Sequence, residues 1–333
     1  MVERNRVSVI VPVFNAAESL EKALRSLMNQ TLSNLEIIVV NDASTDESLR
    51  IIESLVPEHD NMIVIDLSVN RGVHEARLEG IKAANSAWIG FLDADDIALP
   101  EMYETMYNAG VENEVDIVAC GSYRVTSRGN RVNAKVRYHS NVVVTDSVFE
   151  RFCSFEFGTG TLWNKIFSRR LVEPLRDLHF PWRQDTNEDL LLSIGLFLNA
   201  KSLFLVKDML HEYIYRKDSA TSTIGSVEAY VDIYRSYAVA LSIYSQYGEK
   251  VLGSLTSMYR RQLEFSSCRV RSIEELDVYR DSLQGAIHMV SKYYPIGLAL
   301  LASRSPVVPF WKRVIRARAS RIIWFFVSLR KIK

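Results

Sequence analysis

The chain is 333 residues long, enough for one large α/β domain and a smaller appendage. With 48% hydrophobic and 24% charged residues the composition excludes a disordered chain, and 40 basic against 40 acidic side chains single out no partner through net charge. The three scattered cysteines, Cys120, Cys153 and Cys268, form no CxxC pair, which excludes a zinc knuckle and a disulfide framework and fits reduced thiols in a cytosolic protein.

The first half alternates strand and helix. Residues 7–14 are a dense β-branched run, the pattern of a buried parallel strand. That run is broken by Pro12 and is too short for a signal sequence, and no apolar stretch reaches the roughly 18–20 residues of a membrane span, so the active part is expected in the cytoplasm. Residues 18–29 place Leu20, Ala23, Leu24 and Leu27 at helical spacing. A strand is predicted over 36–41, then a helix over 45–55 opened by a Ser44/Glu47 capping box, a strand over 62–67, and a helix over 73–84 after the turn Asn70-Arg71-Gly72. A fourth strand, 88–92, ends in Asp93-Ala94-Asp95-Asp96. This alternation predicts a mostly parallel, Rossmann-like sheet flanked by helices, with the ligand beyond the carboxyl ends of its strands, where Asp42 and residues 93–96 fall.

Further along, residues 116–125 and 131–138 read as strands around a turn, 187–199 as an amphipathic helix and 203–215 as extended. From Val227 the pattern is helical and rich in Tyr and Leu. A polar Ser/Thr stretch at 217–225 marks the boundary between a domain over 1–220 and a helical extension over 221–333.

Three carboxylates within four residues, Asp93, Asp95 and Asp96, repel one another unless a cation lies among them. Mg²⁺ or Mn²⁺ is the hard cation that such oxygens take together with phosphate oxygens. Glu188-Asp189 opens a predicted helix, where acids are also explained by a capping box with Thr186. No glycine-rich phosphate loop follows the first strand, where Pro12-Val13-Phe14-Asn15 stands instead. That disfavours a nucleotidyltransferase and a dinucleotide-binding dehydrogenase.

Four features occur in order: Val11-Pro12-Val13-Phe14-Asn15, Val40-Asn41-Asp42-Ala43-Ser44, Asn70-Arg71-Gly72 with Ala76-Arg77, and Leu92-Asp93-Ala94-Asp95. Their order resembles the inverting family 2 glycosyltransferases, over roughly the first two-thirds of the chain. The resemblance implies a glycosyltransferase A-type fold and a nucleotide-sugar donor, with UDP favoured by Asp42. It implies donor contacts through Pro12, Asp42, Arg77, Asp93, Ala94 and Asp95, and a divalent metal on Asp95. Asp189 then matches the family's general base and Glu188 its neighbour. Trp163 and Lys165 match a Trp-x-Lys segment on the acceptor side, and His211 and Arg216 a late aromatic and basic segment, with His211 a second candidate metal ligand. Ala43 departs from the family's usual glycine; alanine keeps the turn small but is less free to adopt positive φ, a departure the turn is expected to tolerate. The implied reaction transfers a sugar to a polysaccharide or lipid-linked oligosaccharide acceptor by single displacement. The competing reading is a catalytically silent, membrane-associated scaffold of the same fold.

After Asp281 the chain has no acidic residue, and residues 310–333 interleave Lys312, Arg313, Arg316, Arg318 and Arg321 with Trp311, Ile315, Ile322, Trp324 and Phe325. A basic segment with a Trp/Phe-rich apolar face suits an anionic membrane surface. Its apolar content is too large for a phosphate-binding arm, so nucleic acid is not expected as a partner. The expected location is peripheral, on the cytoplasmic face of the membrane.

Overall fold

The computed structural model describes residues 6–184, 187–215, 227–265 and 279–298. The chain divides into two compact units, residues 1–218 and 219–333.

The first unit is built on a ten-stranded sheet: β1 (Val7–Val13), β2 (Leu35–Asn41), β3 (Met62–Asp66), β4 (Trp88–Phe91), β5 (Ile97–Ala98), β6 (Ile117–Thr126), β7 (Arg131–Val136), β8 (Val142–Val144), β9 (Lys165–Ser168) and β10 (Leu203–Tyr215). The spatial order is β3-β2-β1-β4-β9-β6-β10-β5, with β7 beside β6 and β8 beside β10. Strands β3, β2, β1 and β4 pair in parallel, and so do β6 and β10. Between these two parallel blocks runs β9, antiparallel to both β4 and β6. The sheet is therefore mixed, with the expected parallel block at one side and an antiparallel insertion that hydrophobic patterning did not reveal, because four residues are too few to show a period.

Helices α1 (Ala17–Met28), α2 (Ser48–Leu55), α3 (Val73–Ala83) and α4 (Met102–Glu112) flank the parallel block; α5 (Val148–Cys153), α6 (Arg169–Val172) and α7 (Glu188–Asn199) belong to the second half of this unit. Every residue of β1 and β2 is buried, which explains their unbroken apolar runs, and α1 packs Leu20, Ala23, Leu24 and Leu27 into the same core. Helix α2 starts at Ser48, later than predicted, and the capping box does not form. Ser44 Oγ instead accepts the Asn15 N–H at 3.0 Å, so the residue read as a helix cap ties two loops together.

The second unit contains α8 (Val227–Tyr244), α9 (Glu249–Phe265) and α10 (Arg280–Tyr293). Tyr234, Tyr237 and Tyr259 lie in its interior. The Tyr237 hydroxyl lies 2.8 Å from Thr256 Oγ1 and that of Tyr259 2.7 Å from Ser236 Oγ, so the two rings are buried with hydrogen-bonded tips. Among the described residues no helix is long and apolar enough to cross a membrane. Arg216, the 217–225 stretch and residues 310–333 lie outside the described residues.

Candidate active site

The site begins where β1 and β4 part. Their ladder ends at the pair Ile10 and Phe91, and the Leu92 N–H bonds to the Ile10 carbonyl. Pro12, two residues further along β1, has no N–H to offer toward β4, so it stands where no partner needs one. It stays paired with Val40 on the other side. The strand order also reverses between β1 and β4, which makes this crevice the ligand-binding position of an open α/β sheet.

Three loops close over the crevice. Asn15 and Ala43 both have left-handed backbones, with φ of 49° and 55°. Asn15 Oδ1 accepts the Thr45 N–H at 2.8 Å, and Asp46 Oδ2 accepts the Ala17 N–H at 3.0 Å. Asp42 is buried, and its two carboxylate oxygens accept the Arg71 N–H at 2.7 Å and the Gly72 N–H at 2.8 Å. The turn that starts α3 is thereby fixed to the end of β2. Gly72, with φ of 91°, takes the conformation the sequence assigned to it.

Arg77 is the hub. Only 5% of its side chain is exposed, and its guanidinium donates to Asp93 Oδ1 at 3.0 Å and to Glu188 Oε1 at 2.8 Å. One α3 cation thus joins the Asp-Ala-Asp turn after β4 to the first residue of α7. Burial works against its charge, but the carboxylates of Asp93, Glu188 and Asp189 outweigh burial and hold it protonated. Asp189 follows Glu188. Burial, with the neighbouring charge of Glu188, pushes its pKa up to about 7, although Arg77 pulls the other way. Asn187 occupies the cap position of this helix, in left-handed conformation, and its side chain makes no cap bond; Thr186, on which the expected capping box rests, lies outside the described residues.

The remaining acid of the turn, Asp96, is buried and accepts the Ile214 N–H at 3.0 Å, which anchors β10 to the turn after β4. His211 lies inside the protein with Nδ1 2.9 Å from Ser122 Oγ and Nε2 3.4 Å from Asp96 Oδ2. Burial lowers its pKa to about 3, so the ring is neutral. Trp163 is also interior and stacks on His211 at 4.4 Å and on Tyr213 at 6.0 Å. Lys165 is fully buried, and its ammonium donates to the Thr161 carbonyl at 2.7 Å and to Asn164 Oδ1 at 2.8 Å. Burial lowers its pKa to about 7. Trp163, Lys165 and His211 are thus all buried, while Arg77, Asp93, Glu188 and Asp189 form one contiguous cluster.

Lys135 was not singled out in the sequence. It comes from β7, which the sequence showed only as a strand beside a turn. Its ammonium lies 4.7 Å from the Tyr213 ring centre, and both Asp96 and Asp189 act on its charge.

Among the described residues no three His, Cys, Asp or Glu side chains are arranged to hold a metal by themselves. Asp93 is engaged by Arg77 and Asp96 by Ile214, while Asp95 is half-buried at the same turn. Such a donor set fits Mg²⁺ or Mn²⁺ held by one protein carboxylate together with diphosphate oxygens and water, the usual arrangement for Mg²⁺ at nucleotide sites.

The fold is the glycosyltransferase A-type fold, shared with S. aureus TarS 1–349 at 21% identity and a TM-score of 0.66. The chain belongs to glycosyl transferase family 2, whose profile matches residues 8–175. It is 30% identical to the uncharacterized glycosyltransferase EpsJ of Bacillus subtilis over 247 residues, 73% of this chain and 70% of that protein. It is 29% identical to the poly(ribitol-phosphate) β-N-acetylglucosaminyltransferase TarP of Staphylococcus aureus, over 67% of this chain and 66% of that one. The structure of S. aureus TarS 1–349 in complex with UDP-GlcNAc superposes with a TM-score of 0.67 at 23% identity, covering 86% of this chain and 81% of that one.

Proposed function

We propose that the protein transfers a sugar from a UDP-sugar to a hydroxyl of a polysaccharide or lipid-linked oligosaccharide, with inversion, in a single displacement. The observation that carries this reading is the Arg77 bridge. It holds the Asp93-Ala94-Asp95 turn and Asp189 in one cluster, so a donor bound at the turn presents its anomeric carbon to an acceptor deprotonated at Asp189. A base with a pKa of about 7 is half-deprotonated at neutral pH and still basic enough to take a hydroxyl proton as the oxygen attacks. Asp95 would hold the divalent metal, which when bound neutralises charge on the departing diphosphate. Asp42 and Pro12 shape the floor under the nucleotide. The TarS complex, whose ligand is UDP-GlcNAc, supports a UDP-linked donor.

The test is donor binding and hydrolysis across UDP-, GDP- and dTDP-sugars, with and without Mn²⁺. Metal-dependent binding of one UDP-sugar, lost in Asp95→Ala, is the expected result. A folded protein that binds no nucleotide sugar would return the scaffold reading. The basic, aromatic segment 310–333 is proposed to hold the enzyme on the cytoplasmic face of an anionic membrane. Truncation before Pro309 should release the protein to the soluble fraction, and unchanged membrane association would refute this role.

A further inference from the structure

One face of the β6–β7–β10 sheet carries a line of rings. It starts with Trp163 stacked on His211 and Tyr213, and continues to Tyr215 two residues along β10, on the same side of the strand. Two cations lie over these rings: Lys135 over Tyr213 at 4.7 Å, and Arg124 over Tyr215 at 5.9 Å. Arg124 is the register partner of Tyr213.

Neither cation has a carboxylate in ion-pair contact among the described residues. The contrast with Arg131 is informative: it too lies over a ring, Tyr123 at 4.2 Å, but it is neutralised by Glu212 at 2.7 Å. Arg124 Nε is buried with no hydrogen-bond partner. The Lys135 pKa is lowered by burial and then by Arg124, so two like charges stand close enough to disfavour each other. Asp96 and Asp189 act on the charge of Lys135 from beyond ion-pair distance. Two adjacent, partly desolvated cations with unused donors fit an anion that supplies two oxygens at one charge, and the rings fit the C–H faces of the units on either side.

We infer that this face is the acceptor subsite, and that Lys135 and Arg124 bind a phosphodiester of the acceptor chain beside the hydroxyl that Asp189 deprotonates. This rests on the glycosyl-transfer reading above. It adds a demand on the acceptor that a neutral polysaccharide does not meet.

The experiment compares the full-length protein with Lys135→Gln, Arg124→Gln and the double variant. The probes are a soluble ribitol-phosphodiester oligomer, a neutral oligosaccharide of similar length and a lipid-linked diphosphate sugar in detergent. Binding of the phosphodiester oligomer is measured calorimetrically with no donor present, and transfer is measured separately. Each single substitution should weaken oligomer binding and raise the acceptor KM about tenfold, as expected for one charge-assisted contact. The donor KM should stay at the wild-type value, Lys135→Arg should restore binding, and added salt should weaken the wild type more than the double variant. Equal binding of the oligomer by wild type and double variant overturns the inference. So does equal use of the neutral oligosaccharide, or a preference for the lipid diphosphate that the substitutions leave unchanged. Absence of donor hydrolysis and of transfer to every acceptor would refute the transferase reading, while the binding measurement would still decide the subsite.

Discussion

The two sides of the crevice use carboxylates in different ways. On the side of β1, β2 and β3, Asp42 accepts two backbone N–H groups from a turn 29 and 30 residues away, and Asp46 accepts from Ala17 and Ser48. These acids are clamps, and each sits at a loop that a neighbouring strand–helix connection supplies. On the side of β4, α7 and β10, the acids crowd one another. Asp93, Glu188 and Asp189 share Arg77, and Asp189 is pushed up to about 7 by burial and by Glu188. A carboxylate surrounded by N–H donors is held as a structural anion, whereas one placed among other carboxylates with little water keeps its proton until neutral pH. The same side chain becomes a clamp or a base according to what faces it.

The largest effect expected from this contrast is at Asp189. Asp189→Asn should lower turnover by about 10²–10⁴-fold, the usual contribution of a general base, with donor binding retained. In the wild type kcat/KM should rise with pH through about 7, as the base loses its proton. The same substitution should raise thermal stability above pH 7. The unfolded chain releases this proton near the ordinary 3.8 and the folded chain holds it to about 7, so the stability Asp189 contributes is present below the lower value and is lost as pH rises to the higher. A Tm for Asp189→Asn that equals the wild type at pH 8 would show that Asp189 is not desolvated.

The next effect is at Arg77. Arg77→Met leaves Glu188 and Asp93 facing each other in a poorly solvated place and should destabilise the fold by about 3 kcal/mol, the low end for breaking a buried pair because Asp93 still reaches water. Because Arg77 pulls the Asp189 pKa down, the acidic limb of the pH–rate profile should also move to higher pH in this variant. Urea unfolding and a pH profile check the two parts. A limb that stays in place would separate the bridge from the base.

The smallest effect belongs to the clamp side. Ala43 is left-handed at φ 55°, and Ala43→Gly should relieve strain and stabilise the protein by about 0.5–1 kcal/mol, after allowing for the freedom glycine adds to the unfolded chain. A shifted urea midpoint with an unchanged slope is the expected signature.

The clamp side was legible because its chemistry is local. Each element there is a βα turn of a parallel block, so Asp42 and Gly72 announce themselves by position after a dense apolar run, as the Asp93-Ala94-Asp95 turn does at the edge of the other side. The φ at Ala43 was readable from one missing glycine. The other side was not legible to the same degree. Trp163, Lys165 and His211 matched motifs on the acceptor side and as a metal ligand, but their burial was not readable, because it depends on β9 entering between β4 and β6, and four residues show no period. Lys135 had no motif at all, and only the pairing of β7 with β6, and of β6 with β10, brings it to Tyr213.

The sequence by itself determined the parallel block, its switch point and the types of residue gathered there, because strand–helix alternation and strand-end motifs are encoded within a few tens of residues. The tertiary structure decided that Arg77 bridges two acids 95 residues apart, that Asp189 is pushed up to about 7 and that Lys135 and Arg124 lie over Tyr213 and Tyr215 with no carboxylate in ion-pair contact among the described residues. These depend on distance and desolvation between segments remote in the chain, and one-dimensional patterning holds neither.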